Sequence, residues 1–152
     1  MSQKPQLSSL NPIIISGDAK TAIDTYKKAL GAEVMNVLSC PRSGKVLHAC
    51  LNIEGSTFFV CDTFESEDCA DAGKTAAGGQ QFYLLVSHAE QAFEQAKDGG
   101  FTTVRAPEDM FWGHRVGTLK DRDGNTWSLG QQVRDVSPEE MEEAIRKMTQ
   151  AA

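Results

Sequence analysis

The residues of this chain that can do chemistry are few and gather in two stretches. One is Phe111-Trp112-Gly113-His114-Arg115, two large rings, a glycine, an imidazole and a guanidinium in succession. Aromatic faces beside a glycine offer a platform on which a planar ligand can stack, or they anchor a loop by burial. Arg115 can clamp a carboxylate or phosphate with its planar fork of donors, or pair internally with Glu108 or Asp109. The other stretch is KVLHACLNI, which sets His48 in mid-strand. An imidazole there can orient a ligand or move a proton, or it can be a buried ring bonded to a neighbour. His88 opens a helix and reads as an exposed cap. His114 points outward at a strand edge or joins the site. Neither paired carboxylates nor a nucleophile–base spacing is present.

The elements that must position these residues can be read from the pattern around them. Asp121-Arg-Asp-Gly-Asn125 joins two apolar runs, 115–119 and 126–129, and its Asp, Gly and Asn suit a hairpin connection. Alternation along the second run turns Trp127 toward a helix and the core, and Ser128 to the opposite face. Upstream, residues 12–16 form an apolar strand, and Asp18 caps a helix over 19–30 that Gly31 ends. Strands follow over 33–39, 45–53 and 57–61, with Pro41–Gly44 and Glu54–Ser56 as turns. Residues 62–80, rich in Asp, Ser, Gly and Ala, read as a linker. The same order then recurs: a strand over 81–86, a helix over 89–98 closed by Gly99-Gly100, and strands over 101–105, 113–120 and 126–131.

The recurrence has a constant offset. Ala19, Ala22 and Ile23 match Ala89, Ala92 and Phe93 at a spacing of 70, and Gly55 matches Gly124 at 69, which sets His48 opposite Gly117. Residues 1–10 are then a lead-in, and 11–136 a domain of two βαβββ modules, 11–62 and 81–132. One helix covers one face of each four-stranded sheet and leaves the other concave, so two such faces closing on each other make a ligand cavity. Residues 137–152 form a separate helix. Ser137-Pro138-Glu139-Glu140 supplies its capping box, and Met141, Ala144, Ile145 and Met148 form an apolar stripe to pack on the domain or across a dimer.

Bulk properties narrow the partners. A net charge of -6 and a pI near 5.0 supply no basic patch for nucleic acid or anionic lipid. No run approaches the roughly 18 apolar residues of a membrane span, and the polar start lacks a signal-like apolar region, so the cytoplasm is the expected address. Cys40, Cys50, Cys61 and Cys69 fall in no CxxC pair, which argues against a zinc site. Cys50 and Cys61 read as small buried hydrophobes, and Cys69 as an exposed loop thiol.

The opening NPIIISGDAKTAIDTYKKALGAE, the segment PEDMFWGHRVGTLKDRDGNTW and the ending VRDVSPEEM together resemble the vicinal oxygen chelate superfamily, in its glyoxalase/bleomycin-resistance, PhnB-like branch. The resemblance implies an α+β fold in which tandem modules form a U-shaped sheet around a small-molecule cavity, usually in a homodimer. Position 48 is often histidine in the PhnB-like branch. Many superfamily enzymes bind one divalent metal, through His and Glu at positions that correspond here to Asn11, Phe59, Gln81 and Ser128. None of these is an imidazole or a carboxylate, so no metal and no cofactor is expected. The reading is a small-molecule binding protein with His48, Phe59, Tyr83, Trp112, Arg115 and Ser128 at the ligand. The alternative is an enzyme with His48 as general acid/base, or with a relocated divalent metal.

Overall fold

A computed structural model of the chain describes residues 7, 9–63 and 77–150. The first module runs β1 (Ile13–Ser16), α1 (Ala19–Leu30), β2 (Glu33–Ser39), β3 (Val46–Ile53) and β4 (Ser56–Asp62). The second runs β5 (Gln81–Leu85), α2 (Ala89–Asp98), β6 (Thr102–Asp109), β7 (His114–Lys120) and β8 (Thr126–Gln132), and α3 (Pro138–Gln150) follows. Each module is one mixed four-stranded sheet, ordered β1-β4-β3-β2 and β5-β8-β7-β6, in which the first strand runs parallel to the last. The expected α+β architecture of two βαβββ modules is therefore present. Cys69 and most of the proposed linker lie outside the described residues.

Local chemistry accounts for the boundaries. The Asp18 carboxylate accepts from the Thr21 backbone N–H and hydroxyl and caps α1. The same two bonds hold its pKa below 3.8, with smaller help from Arg122 and Lys20. Gly55 and Gly124, with φ of 84° and 86°, occupy the left-handed position of the two β-turns and show that the duplication reaches the backbone. The helix N-termini repeat as well: Asp62 accepts from Ala19 N at 2.7 Å, and Gln131 from Ala89 N at 2.9 Å. One sequence expectation changes. Leu51 pairs with Phe58, and Leu119 with Trp127, so the offset slips to 68 on β3 and β7 because the second hairpin turn is one residue longer. His48 thus corresponds to Val116, and Gly117 falls on the other face, where its missing side chain makes room for Phe93. β6 extends past the expected 105 through Pro107, which an edge strand with two register irregularities tolerates.

The helix-bearing faces of both sheets share a single core. Trp127 is 4 % exposed and its ring lies 5.6 Å from Tyr26 and 4.6 Å from Phe82, joining the two modules. Cys50 is buried and Cys61 half-buried, both free thiols. Helices α1 and α2 touch directly where Gly99 lies against the backbone of Ala29. No strand of one sheet pairs with a strand of the other among the described residues; the sheets meet through core side chains such as Phe58 and Trp127, and the two helix-free faces stay open within one chain. The third helix forms with the expected capping box, Glu140 N donating to Ser137 Oγ at 3.1 Å, but packs against no other described element. Its Ile145 and Met148 are exposed.

Candidate functional site

Strand alternation and register sort the candidate residues by face. On the first sheet, Phe59 pairs with Ile13 and with Cys50, and His48 lies on the same open face one pair further along β3. The His48 and Phe59 rings meet with centroids 4.6 Å apart, so two of the candidates form one aromatic surface. Asn36, paired with Cys50, shares that face and holds a buried Oδ1 with no hydrogen-bond partner among the described residues.

On the second sheet, Tyr83 pairs with Ser128, whose hydroxyl lies 3.3 Å from that of Thr118. Gly130 follows on the same strand face, and the Tyr83 ring lies over it: a Cβ on Gly130 would fall 2.6 Å from the Tyr83 hydroxyl. The ring thereby reaches Trp112 and His114 at the β6–β7 end. Tyr83 Oη is 3.1 Å from Trp112 Nε1 and 2.7 Å from His114 Nδ1. The tip is held by Gly113, whose carbonyl accepts from Val133 N and Arg134 N and whose bare Cα packs against the Arg134 carbonyl. Phe111 meets Trp112 edge-on at 5.0 Å.

Arg115 is placed differently from the ligand clamp of the sequence reading. Alternation with His114 and Val116 turns it to the helix-bearing side, where Nε donates to Asp109 Oδ1 at 2.7 Å and Nη1 lies 3.8 Å from Glu90. The hydrogen bond to Arg115 lowers the Asp109 pKa, and the same bond raises that of Arg115. The internal-pair alternative is the one realised, with Glu90 of α2 as a second acid. His88 is exposed at the N-cap of α2, and its side chain makes no capping bond.

The four positions that correspond to the metal ligands of superfamily enzymes lie on or beside the open faces: Asn11 just before β1, Phe59 on β4, Gln81 on β5 and Ser128 on β8. Two neutral amides, a hydroxyl and a phenyl ring do not match the anionic and imidazole donors that a divalent cation of this class requires. Among the described residues, no group of three or more His, Cys, Asp or Glu gathers elsewhere.

A cavity of about 250 Å³ opens between the modules, lined by Leu10, Pro12, Thr57, Phe82, Tyr83 and Trp127 among others. Tyr83 thus borders both this cavity and the hydrogen-bonded cluster. The chemistry available is stacking and neutral hydrogen bonding. The sequence reading left His114 between a strand edge and the site, and it did not single out Asn36. The signal for His114 was the strand period counted back from Gly117, a core glycine that only the register identifies.

The family model of the Glyoxalase/Bleomycin resistance protein/Dioxygenase superfamily matches residues 9–129. An uncharacterized protein of Mycobacterium bovis is 36% identical over 141 residues, covering 90% of this chain and 91% of that protein. Among solved structures, TioX from Micromonospora sp. ML1 superposes with a TM-score of 0.62 at 24% identity, over 82% of this chain and 99% of TioX. A glyoxalase/bleomycin resistance protein/dioxygenase family enzyme from Burkholderia phytofirmans PsJN gives a TM-score of 0.63 at 15% identity, over 79% and 94% of the two chains. These two likenesses establish the fold. No helix among the described residues is long and apolar enough to cross a membrane. The extent of the family match and the paired βαβββ modules together place the chain in the glyoxalase/bleomycin resistance protein/dioxygenase superfamily.

Proposed function

We propose that this protein binds a small molecule, in the manner of the bleomycin-resistance, PhnB-like branch, without the divalent metal of superfamily enzymes. The ligand sits on the open sheet faces, in a cavity completed by a second copy of the chain. The observation that carries this reading is the substitution of the metal positions by Asn11, Phe59, Gln81 and Ser128 on faces that also bear His48, Tyr83 and Trp112. Phe59 supports it most, because a phenyl ring, in tilted contact with the His48 ring, stands where superfamily enzymes carry a ligating side chain. The open faces expose Ile13, Leu38, Tyr83 and Leu85, which a partner copy would cover. Sequestration needs no more than this.

The test is a thermal-shift panel of planar ligands with and without divalent metals, run beside elemental analysis of the purified protein. Ligand-dependent stabilisation that metals do not change, with metal well below one equivalent, is the expected result. One equivalent retained through dialysis and lost in His48→Ala would replace this reading with the relocated-metal enzyme.

A further inference from the structure

Tyr83 belongs to β5, the edge strand of the second sheet, yet its hydroxyl bonds a ring two strands away on β7. Only the missing side chain of Gly130 on the intervening strand permits this. The direction of each hydrogen bond follows from what its atoms can do. An indole N–H only donates, so Trp112 Nε1 gives its proton to Tyr83 Oη. The phenol keeps its own proton, which it can give to His114 Nδ1, 2.7 Å away, in the tautomer that leaves that nitrogen unprotonated. In that tautomer the ring proton resides on Nε2. No described protein group accepts from that atom, although His114 is half-buried.

We propose that His114 is a specificity-determining residue of the ligand site. The chain Trp112 → Tyr83 → His114 holds its Nε2–H as an uncharged donor toward the open face, for a planar ligand with a neutral carbonyl acceptor such as an aromatic amide or lactam. This rests on the reading that the open face holds the ligand. Charge placement selects the neutral acceptor over a carboxylate. Arg115 lies on the opposite side and is bound to Asp109, and Arg105 pairs with Glu108 at 3.4 Å. Arg134 is engaged by Glu140 and by the Phe111 carbonyl. Lys120 shares the open face but sits six residues along β7 from His114, about 20 Å at the strand rise. A carboxylate at Nε2 would lose hydration without meeting a cation. A carbonyl would meet the single donor it needs, beside the Trp112 ring.

The test begins without a ligand. Isotope-edited NMR of the imidazole nitrogens is expected to show His114 as the Nε2–H tautomer, and Tyr83→Phe should convert it to a mixture while leaving His48 and His88 unchanged. A His114 already mixed in the parent protein overturns the proposal. The ligand class is then probed with N-methylquinolone and with naphthoate. The lactam should move the His114 ring and Trp112 indole resonances and bind more tightly than the carboxylate. His114→Phe should weaken it about two- to tenfold, the worth of one hydrogen bond, and His114→Gln, which keeps an N–H donor, should restore it. Equal affinity in His114→Phe, or a preference for naphthoate, overturns the proposal. A lactam that shifts Thr118 and Val116 but not His114 removes this inference and leaves the ligand site standing. No shift on either open face removes both.

Discussion

The hydroxyl of Tyr26 on α1 donates to Asp121 Oδ2 at 2.6 Å across 95 positions of sequence, tying the helix of the first module to the hairpin turn of the second. The same carboxylate, only 6 % exposed, accepts from Trp127 Nε1 and Asn125 Nδ2 on Oδ2 and from the backbone N–H groups of Asp123 and Asn125 on Oδ1. Five donors to one buried carboxylate offset the cost of taking it out of water. Removing one of them in Tyr26→Phe should cost about 1.5–3 kcal/mol, the range for hydrogen bonds to charged groups. Urea denaturation at neutral pH measures it, and an unchanged midpoint would show the bond to be dispensable.

The same pair gives a pH dependence of stability. Burial, and next the negative charge of Asp121, push the Tyr26 pKa well above its ordinary value of 10.0. A raised folded pKa means that the fold favours the neutral phenol. That contribution is complete below pH 10.0 and is lost as pH rises further, because the unfolded phenol ionises and the folded one does not. Stability should therefore fall more steeply above pH 10 in the parent protein than in Tyr26→Phe. Parallel pH profiles for the two would contradict this.

The two tryptophans should separate core from site. Trp127, packed against Tyr26, Phe58, Phe82 and Phe101, should lose about 3–5 kcal/mol of stability on truncation to Ala. Among the described residues, Trp112 meets the Phe111 ring and donates to Tyr83. Trp112→Ala should leave the melting temperature nearly unchanged and weaken ligand binding by about 1–3 kcal/mol, roughly five- to a hundredfold. Melting as large as that of Trp127→Ala would make Trp112 a structural anchor instead.

Light scattering at micromolar concentration should return twice the 16.5 kDa chain mass. Apolar side chains on both open faces, and the Ile145/Met148 stripe on a helix that packs against no other described helix or strand, leave surface that a second copy would bury. A charge placed at Leu38 or Leu85 should shift the mass toward the monomer. A monomeric parent protein would remove the case for a cavity shared by two chains.

A glycine pair tests the contact between the helices. A methyl at Gly99 would fall 2.5 Å from the Ala29 Cα, so Gly99→Ala must force α1 and α2 apart, at about 1–3 kcal/mol. At Gly17 the nearest atom is an Asp123 oxygen at an ordinary 3.6 Å, and Gly17→Ala should stay within about 0.5 kcal/mol. Equal effects in thermal denaturation would mean that the interhelical approach is not tight.

Sequence alone determined the elements and their duplication. α1 and α2 begin and end where periodicity and glycine put them, and the Gly55/Gly124 spacing marks the repeated turn, because these signals are local and act within a few residues. Tertiary structure decided which way the strands face. A strand repeats every two residues, so one extra residue in the second hairpin turn moves the partner of His48 from Gly117 to Val116 and thereby to the opposite face. The same alternation turns Arg115 toward Glu90 and leaves His114 beside Tyr83, a distinction that residue types do not carry. Asp121 is the sharpest case. In sequence it is one acid of a charged turn. In the fold it is a buried carboxylate that accepts from Trp127 of its own hairpin and from Tyr26 of a distant helix, and only packing the two modules together brings the Tyr26 hydroxyl within 2.6 Å.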